Sequence, residues 1–177
     1  MDFERIFTEI SPEEIGDNVF KMVGRDFYVV TAGKAEHYNS MTASGGGWAL
    51  MFRKPSTLCL MQRTRYTLEL IERERTYTMC YFPDEYREQV LFLGSKSGRD
   101  SGKMREVELT AVQTPSGDVA FGEARLIFEC RLTQLTTPTP EDFYAQEARD
   151  YIAETYKDPN EYRKYVFGEI THVWVKR

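Results

Sequence analysis

Apolar runs of strand length recur along this chain, separated by glycine, proline and charged turns. Phe27 to Ala32 is an apolar run ahead of Gly33, which predicts a buried strand. Thr57 to Met61 forms another, entered after Pro55. Thr76 to Phe82 alternates β-branched, aromatic and sulfur side chains before Pro83. Val107 to Thr114 leads into the turn sequence Pro115-Ser116-Gly117-Asp118. Arg125 to Leu135 is the longest strand candidate, and Tyr165 to Val175 closes the chain with β-branched and aromatic residues.

Helical spacing appears at three places. Thr64 is a candidate cap for a helix with Leu68, Leu70 and Ile71 on its apolar side and Glu69, Glu72 and Arg73 outside. Arg65 in its first turn opposes the helix dipole unless something anionic sits there. Pro83-Asp84-Glu85 opens a second helix, carrying Val90, Leu91 and Leu93 and stopping at Gly94. Thr139-Pro140-Glu141 opens a third, running to Tyr156 with Phe143, Ala148, Tyr151 and Ile152 as its expected buried set. About eight strands around a few helices suggest a mainly β protein of barrel type. No internal repeat or low-complexity linker divides the 177 residues, so a single domain is expected over 1–177.

Composition narrows the functional classes. Hydrophobic residues make up 41% and aromatics 14%, a globular composition. The net charge of −5 argues against general affinity for nucleic acid or anionic membranes. The acidic start Met-Asp-Phe-Glu-Arg-Ile-Phe does not read as a secretory signal, and no apolar stretch approaches the ~18 residues of a membrane span. Cys59, Cys80 and Cys130 are widely spaced in strand-like runs, the pattern of reduced core thiols in a cytoplasmic protein. His37 and His172 are far apart and lack metal-ligand spacing.

Chemistry concentrates in three segments. Tyr38-Asn39-Ser40-Met41-Thr42-Ala43-Ser44-Gly45-Gly46-Gly47 runs small and hydroxylated residues into glycines. Missing side chains let backbone approach a flat ligand, whose heteroatoms exposed N–H groups can bond. The same stretch also reads as an ordinary glycine-rich bulge or loop. Thr64-Arg65-Tyr66-Thr67 brings two hydroxyls, a guanidinium and helix N-terminal N–H groups together, a competent phosphate site or an ordinary capped helix. Ser95-Lys96-Ser97-Gly98-Arg99-Asp100-Ser101-Gly102-Lys103 is a second candidate anion wall or a solvated loop.

Asn39-Ser40-Met41-Thr42-Ala43-Ser44 resembles the Asn-x-Met-Thr-Ala-Ser motif of the flavin reductase-like, FMN-binding split-barrel family. In the same order as that family come Val30-Thr31-Ala32-Gly33, Lys54-Pro55, Arg65-Tyr66-Thr67, Phe82-Pro83-x-Glu85-Tyr86-Arg87, Gly94-Ser95-x-Ser97-Gly98-Arg99-Asp100, Gly168-Glu169-Ile170 and Val173-Trp174-Val175. The resemblance implies a split β-barrel with a few added helices, binding FMN as a homodimer with pockets near the subunit boundary. It implies that Asn39, Ser40, Met41, Thr42, Ala43 and Ser44 line the ring and ribityl chain, that Arg65 and Thr67 face the phosphate supported by Thr64 and Tyr66, and that Ser97, Gly98, Arg99 and Lys103 complete the pocket; backbone N–H groups from Thr42 to Gly46 are then placed to bond the ring heteroatoms. The chain departs from the family pattern at Gly45, where relatives carry Trp, at Phe52, where they carry a second Trp, and at Gln62-Arg63, where they carry Arg-Pro. Losing the first Trp opens space for another substrate or weakens flavin affinity, unless Trp48 fills the gap.

The activity implied is an NAD(P)H-dependent flavin or flavin-linked reductase, with hydride passing from nicotinamide to flavin N5 and onward to a small-molecule or protein electron acceptor. Hydride transfer requires no general acid or base, in keeping with the lack of an evident catalytic constellation. Two further readings stand beside it. One is an FMN-bound electron carrier without a nicotinamide site. The other is a split barrel that has exchanged FMN for haem or another planar ligand, which His37 beside the motif makes conceivable.

Overall fold

The structure, a computed structural model, describes residues 3–99, 102–158 and 161–177. Its strands are β1 (Phe7–Ile10), β2 (Tyr28–Lys34), β3 (His37–Ala43), β4 (Gly47–Met51), β5 (Lys54–Met61), β6 (Thr76–Tyr81), β7 (Ala111–Gln113), β8 (Val119–Phe121), β9 (Leu126–Thr136) and β10 (Lys164–Lys176). Its helices are α1 (Phe3–Ile6), α2 (Val19–Gly24), α3 (Tyr66–Glu74), α4 (Arg87–Ser95), α5 (Lys103–Glu106) and α6 (Gln146–Thr155). Eight strands make one sheet in the order β3-β2-β6-β9-β10-β5-β4, with β1 added on β10, while β7 and β8 form a separate hairpin.

The long strand β10 explains how this sheet bends into a split barrel whose β3 and β4 edges stay open. One of its edges pairs with β9, and the other pairs first with β5 over Lys164–Glu169 and then with β1 from Val173 to Lys176. The register with β9 shifts between Phe167 and Gly168 and again between Ile170 and His172. Such bulges bend a strand and increase its twist, so one strand can serve two parts of a split barrel. Gly168 is required at the first bend because a Cβ there would lie 2.2 Å from the Tyr77 hydroxyl. That hydroxyl instead meets Thr57 Oγ1 at 2.9 Å inside the barrel.

The barrel interior joins Val30, Met41, Met61, Tyr77, Met79 and Phe128 to Leu70 and Ile71 of α3. The Cys59, Cys80 and Cys130 thiols are free and buried, as their strand context predicts. Burial pushes the Cys59 and Cys80 thiols up to about 12. The β7–β8 hairpin is tied to the sheet by buried acids. Glu129 accepts from Thr114 Oγ1 at 2.8 Å and Trp174 Nε1 at 2.7 Å, and Asp118 accepts from Lys34 and Thr76 at 2.7 Å each.

Several expectations need correction. The glycine-rich motif is largely strand: β3 carries it to Ala43, and β4 resumes at Gly47 after a turn in which Gly45 and Gly46 have φ of 78° and 81°. The expected helix from Pro140 to Tyr156 is broken. Thr139 does cap its start, its backbone N–H donating to the Asp142 carboxylate at 2.6 Å, but only a three-residue 3-10 turn follows before α6 begins. Helix α6 has no buried residue, and Tyr151 is 59% exposed. Between Val107 and Thr114 only Ala111–Gln113 is strand. Helix α4 starts at Arg87 after a 3-10 turn at Asp84–Tyr86 and continues through Gly94.

Candidate functional site

The ladder geometry decides what the motif can present. β3 is a terminal strand of the sheet, paired with β2 on one side, with Ala43 opposite Tyr28, Met41 opposite Val30 and Asn39 opposite Ala32. A terminal strand leaves alternate backbone N–H and C=O groups on its other edge without ladder partners. Alternation also divides the side chains. Met41 and Ala43 point into the barrel core. Thr42 turns the other way, where its hydroxyl donates to the Val90 carbonyl of α4.

Around the start of β3, three distant segments converge. Asn39, 3% exposed, donates through Nδ2 to Thr67 Oγ1 at 2.7 Å. Gly98 packs against the same amide so closely that a Cβ would lie 2.3 Å from Nδ2. His37 Nε2 and the Tyr66 hydroxyl share a hydrogen bond of 2.5 Å. The Arg99 guanidinium lies over the Tyr66 ring at 5.1 Å and pairs with Glu69, whose carboxyl it holds below the usual carboxylate range. Burial raises the Tyr38 phenol above its ordinary value. Together His37, Tyr38, Asn39, Tyr66, Gly98, Arg99 and Met104 enclose a cleft of about 560 Å³, within the ~300–1,000 Å³ of small-molecule sites.

At the start of α3, Arg65 and not Thr64 occupies the capping position, and Arg65 makes no side-chain bond to the helix. Its Nε is buried and has no hydrogen-bond partner among the described residues. A guanidinium at the positive end of a nine-residue helix, with one nitrogen sealed from water and unpaired, is unfavourable unless an anion joins it.

The candidates from sequence therefore separate. Asn39, Tyr66, Gly98 and Arg99 line the cleft. Thr67 and Ser40 lie buried behind it, Ser40 bonded to Thr31 Oγ1 at 2.8 Å. The Ser97 hydroxyl accepts from Arg99 N at 3.2 Å and shapes the loop. Lys103 does not offer its amine to the cleft: 2% exposed, it donates to the Ser40 carbonyl at 2.8 Å and supports β3. Gly46 is tight against its own sheet, since a Cβ would sit 1.9 Å from the Leu58 carbonyl oxygen. Ser44 is half-buried beside that turn, and Thr64 is exposed in a neighbouring cleft. Trp48 does not fill the space left at Gly45. It turns into the barrel, donating to the Tyr81 hydroxyl at 2.8 Å and packing edge-on against Phe128. Asp100 and Ser101 lie outside the described residues. His37 and Tyr38 flank the motif and signalled the cleft only by adjacency, while Met104 carried no sequence signal.

The model for the flavin reductase-like domain matches residues 20–177. No curated protein matches the sequence. Among solved structures, the fold is similar to an FMN-binding domain of a flavin reductases-like enzyme from Shewanella baltica, with a TM-score of 0.67 and 13% identity over 96% of this chain and 76% of that one. It is similar to flavoredoxin of Desulfovibrio vulgaris, with a TM-score of 0.65 and 17% identity over 94% and 76% of the two chains. An NADH:FAD oxidoreductase of Streptomyces globisporus gives a TM-score of 0.61 and 12% identity over 86% and 78%.

Proposed function

The chain belongs to the flavin reductase-like domain family, and from that premise we propose that it binds FMN and acts as an NAD(P)H-dependent flavin or flavin-linked reductase. The observation that carries the reading is the meeting at Asn39 of β3, the start of α3 and the Gly98 loop, three segments separated in sequence.

The residues present fit FMN. The unpaired Arg65 Nε and the free N–H groups at the start of α3 suit a phosphate dianion. Asn39, its amide nitrogen fixed on Thr67, keeps its carbonyl oxygen for a ligand donor. The outer edge of β3 offers backbone groups to the ring, whereas the Gly45 N–H and carbonyl are already engaged by the Val23 carbonyl at 2.8 Å and the Tyr28 hydroxyl at 3.0 Å.

Bound FMN supplies two-electron chemistry that no side chain provides. This chain's residues hold and orient. Arg65 neutralises phosphate charge, and Arg99 over Tyr66 forms one wall of the cleft. The His37–Tyr66 bond keeps a proton at the rim between Nε2 and the phenolic oxygen. The same bond occupies His37 Nε2, so the haem reading gains no support from this nitrogen.

A homodimer is part of the proposal. Unpaired edges at β3 and β4, with exposed Leu50 and Phe52 at the β4–β5 turn, support a partner surface. Buried free thiols support a cytoplasmic location. No helix among the described residues is long and apolar enough to cross a membrane. Anaerobic mixing of the FMN-loaded protein with NADPH or NADH tests the activity. Rapid bleaching of the flavin with either nucleotide is expected, and none with both would leave an electron carrier as the function.

A further inference from the structure

A second cleft, of about 310 Å³, lies beside the first turn of α3, with Gln62, Arg63, Thr64, Tyr156, Glu161 and Arg163 in its wall. It brings the strand end after β5 against the entry to β10, because Lys164 pairs with Met61. Among the described residues of its wall, Arg163 and several hydroxyl or amide groups face one carboxylate, Glu161, beside the already partnered Arg63, so its chemistry favours an anion.

Arg163 is the group that asks for one. Its Nε is buried with no hydrogen-bond partner among the described residues, the same condition as Arg65 Nε two positions beyond Arg63. The unpaired nitrogen is costly in the absence of a ligand, and Glu161 in the same wall does not satisfy it. The cleft also shares an end of the barrel with the glycine turn. Burial pushes the Tyr28 phenol well above its ordinary range against the opposing pull of Arg163, and the Tyr28 hydroxyl donates to the Gly45 carbonyl at 3.0 Å.

We propose that this cleft is a second anion site, distinct from the FMN phosphate site, and that Arg163 binds a phosphate of the nicotinamide dinucleotide. The assignment rests on the reductase reading. A volume of about 310 Å³ is at the small end for ligand sites and suits a phosphate with its sugar, not a whole dinucleotide. The remainder of the nucleotide then extends over the surface toward the Gly45 turn. Arginine suits the task because its planar fork meets phosphate with paired, charge-assisted bonds.

The test uses the full-length, FMN-loaded protein and the redox-inert probe NADP+, titrated calorimetrically. Wild type is expected to bind NADP+, Arg163→Gln to bind it at least about tenfold more weakly, and Arg163→Lys to recover part of the loss. FMN affinity should stay within about twofold in both variants, and their melting curves should remain cooperative. Unchanged NADP+ affinity in Arg163→Gln overturns the assignment, as does absence of NADP+ binding to wild type. A parallel fall in FMN affinity would transfer Arg163 to the FMN site and also overturn it. Failure of the parent reading looks different: NADP+ binds and depends on Arg163, yet neither reduced nucleotide bleaches the flavin.

Discussion

Replacing Arg65 by alanine should separate ligand binding from folding. The Arg65 side chain makes no bond to α3, and its Nε is buried without a partner among the described residues. Its removal therefore deletes no native hydrogen bond. It also relieves a cation from the positive end of a helix, an interaction of about 0.3–1 kcal/mol. The free protein should be as stable as wild type or slightly more so, with a melting temperature unchanged or raised by roughly 2–4 °C at most for a chain of this size. FMN binding should respond in the opposite direction. A charge-assisted bond to phosphate contributes about 1.5–3 kcal/mol, which is roughly a ten- to hundredfold loss of affinity. Because Arg65 is only half-buried, solvent screening favours the lower end of that range. Titration of flavin fluorescence against protein, with a thermal melt of the same samples, reads both quantities. Equal FMN affinity in wild type and variant would refute the phosphate assignment. A large drop in the stability of the free protein would refute the claim that Arg65 is held without a partner.

Other outcomes follow from the same geometry. Gly46→Val should destabilise the fold by at least about 2 kcal/mol, since its Cβ would meet the Leu58 carbonyl at 1.9 Å at a φ of 81°; a variant melting with wild type would contradict this. Cys59 and Cys80 should resist a thiol reagent in the native protein at pH 8 and react on denaturation, because burial holds both near 12. Since the native thiols keep their protons while unfolded ones lose them above about 8.5, stability should fall between there and about 12, by about 1.4 kcal/mol per pH unit per thiol. A pH-independent stability over that window would count against it. Light scattering across a dilution series should give a dimer that loses flavin as it dissociates, and a monomer with full flavin occupancy would exclude a shared pocket.

Much of the barrel was legible because its central strands are apolar on both faces. Phe27 to Ala32, Thr57 to Met61 and Thr76 to Phe82 each became β2, β5 or β6 within a few residues. The motif strand was harder to see. Asn39, Ser40 and Thr42 are polar, and Asn39 and Ser40 are buried all the same because side-chain partners in β2 and α3 satisfy them. Periodicity counts such residues as loop. The helix after Thr139 differs for another reason: its turn chemistry was read correctly, but Phe143 is extended at the end of the 3-10 turn, with its ring edge-on to Tyr162 at 5.9 Å between rings. At the site, residue type pointed to Asn39, Tyr66, Gly98 and Arg99. It could not reveal that Lys103 is spent inside the protein, because a buried lysine bonded to a carbonyl has the same sequence signature as a cationic wall. The orphaned Arg163 carried no motif at all, and only the packing of the β10 entry against Gln62 to Thr64 exposes it.

The central claim is that this chain holds FMN through its phosphate at the start of α3. Calorimetric titration of the flavin-free protein with FMN and with riboflavin tests it most directly, since the two ligands share the ring and ribityl chain and differ only in the phosphate. The account predicts that FMN binds at least about tenfold more tightly than riboflavin, the worth of one charge-assisted phosphate contact. Equal affinity for the two, or no binding of either, would contradict it.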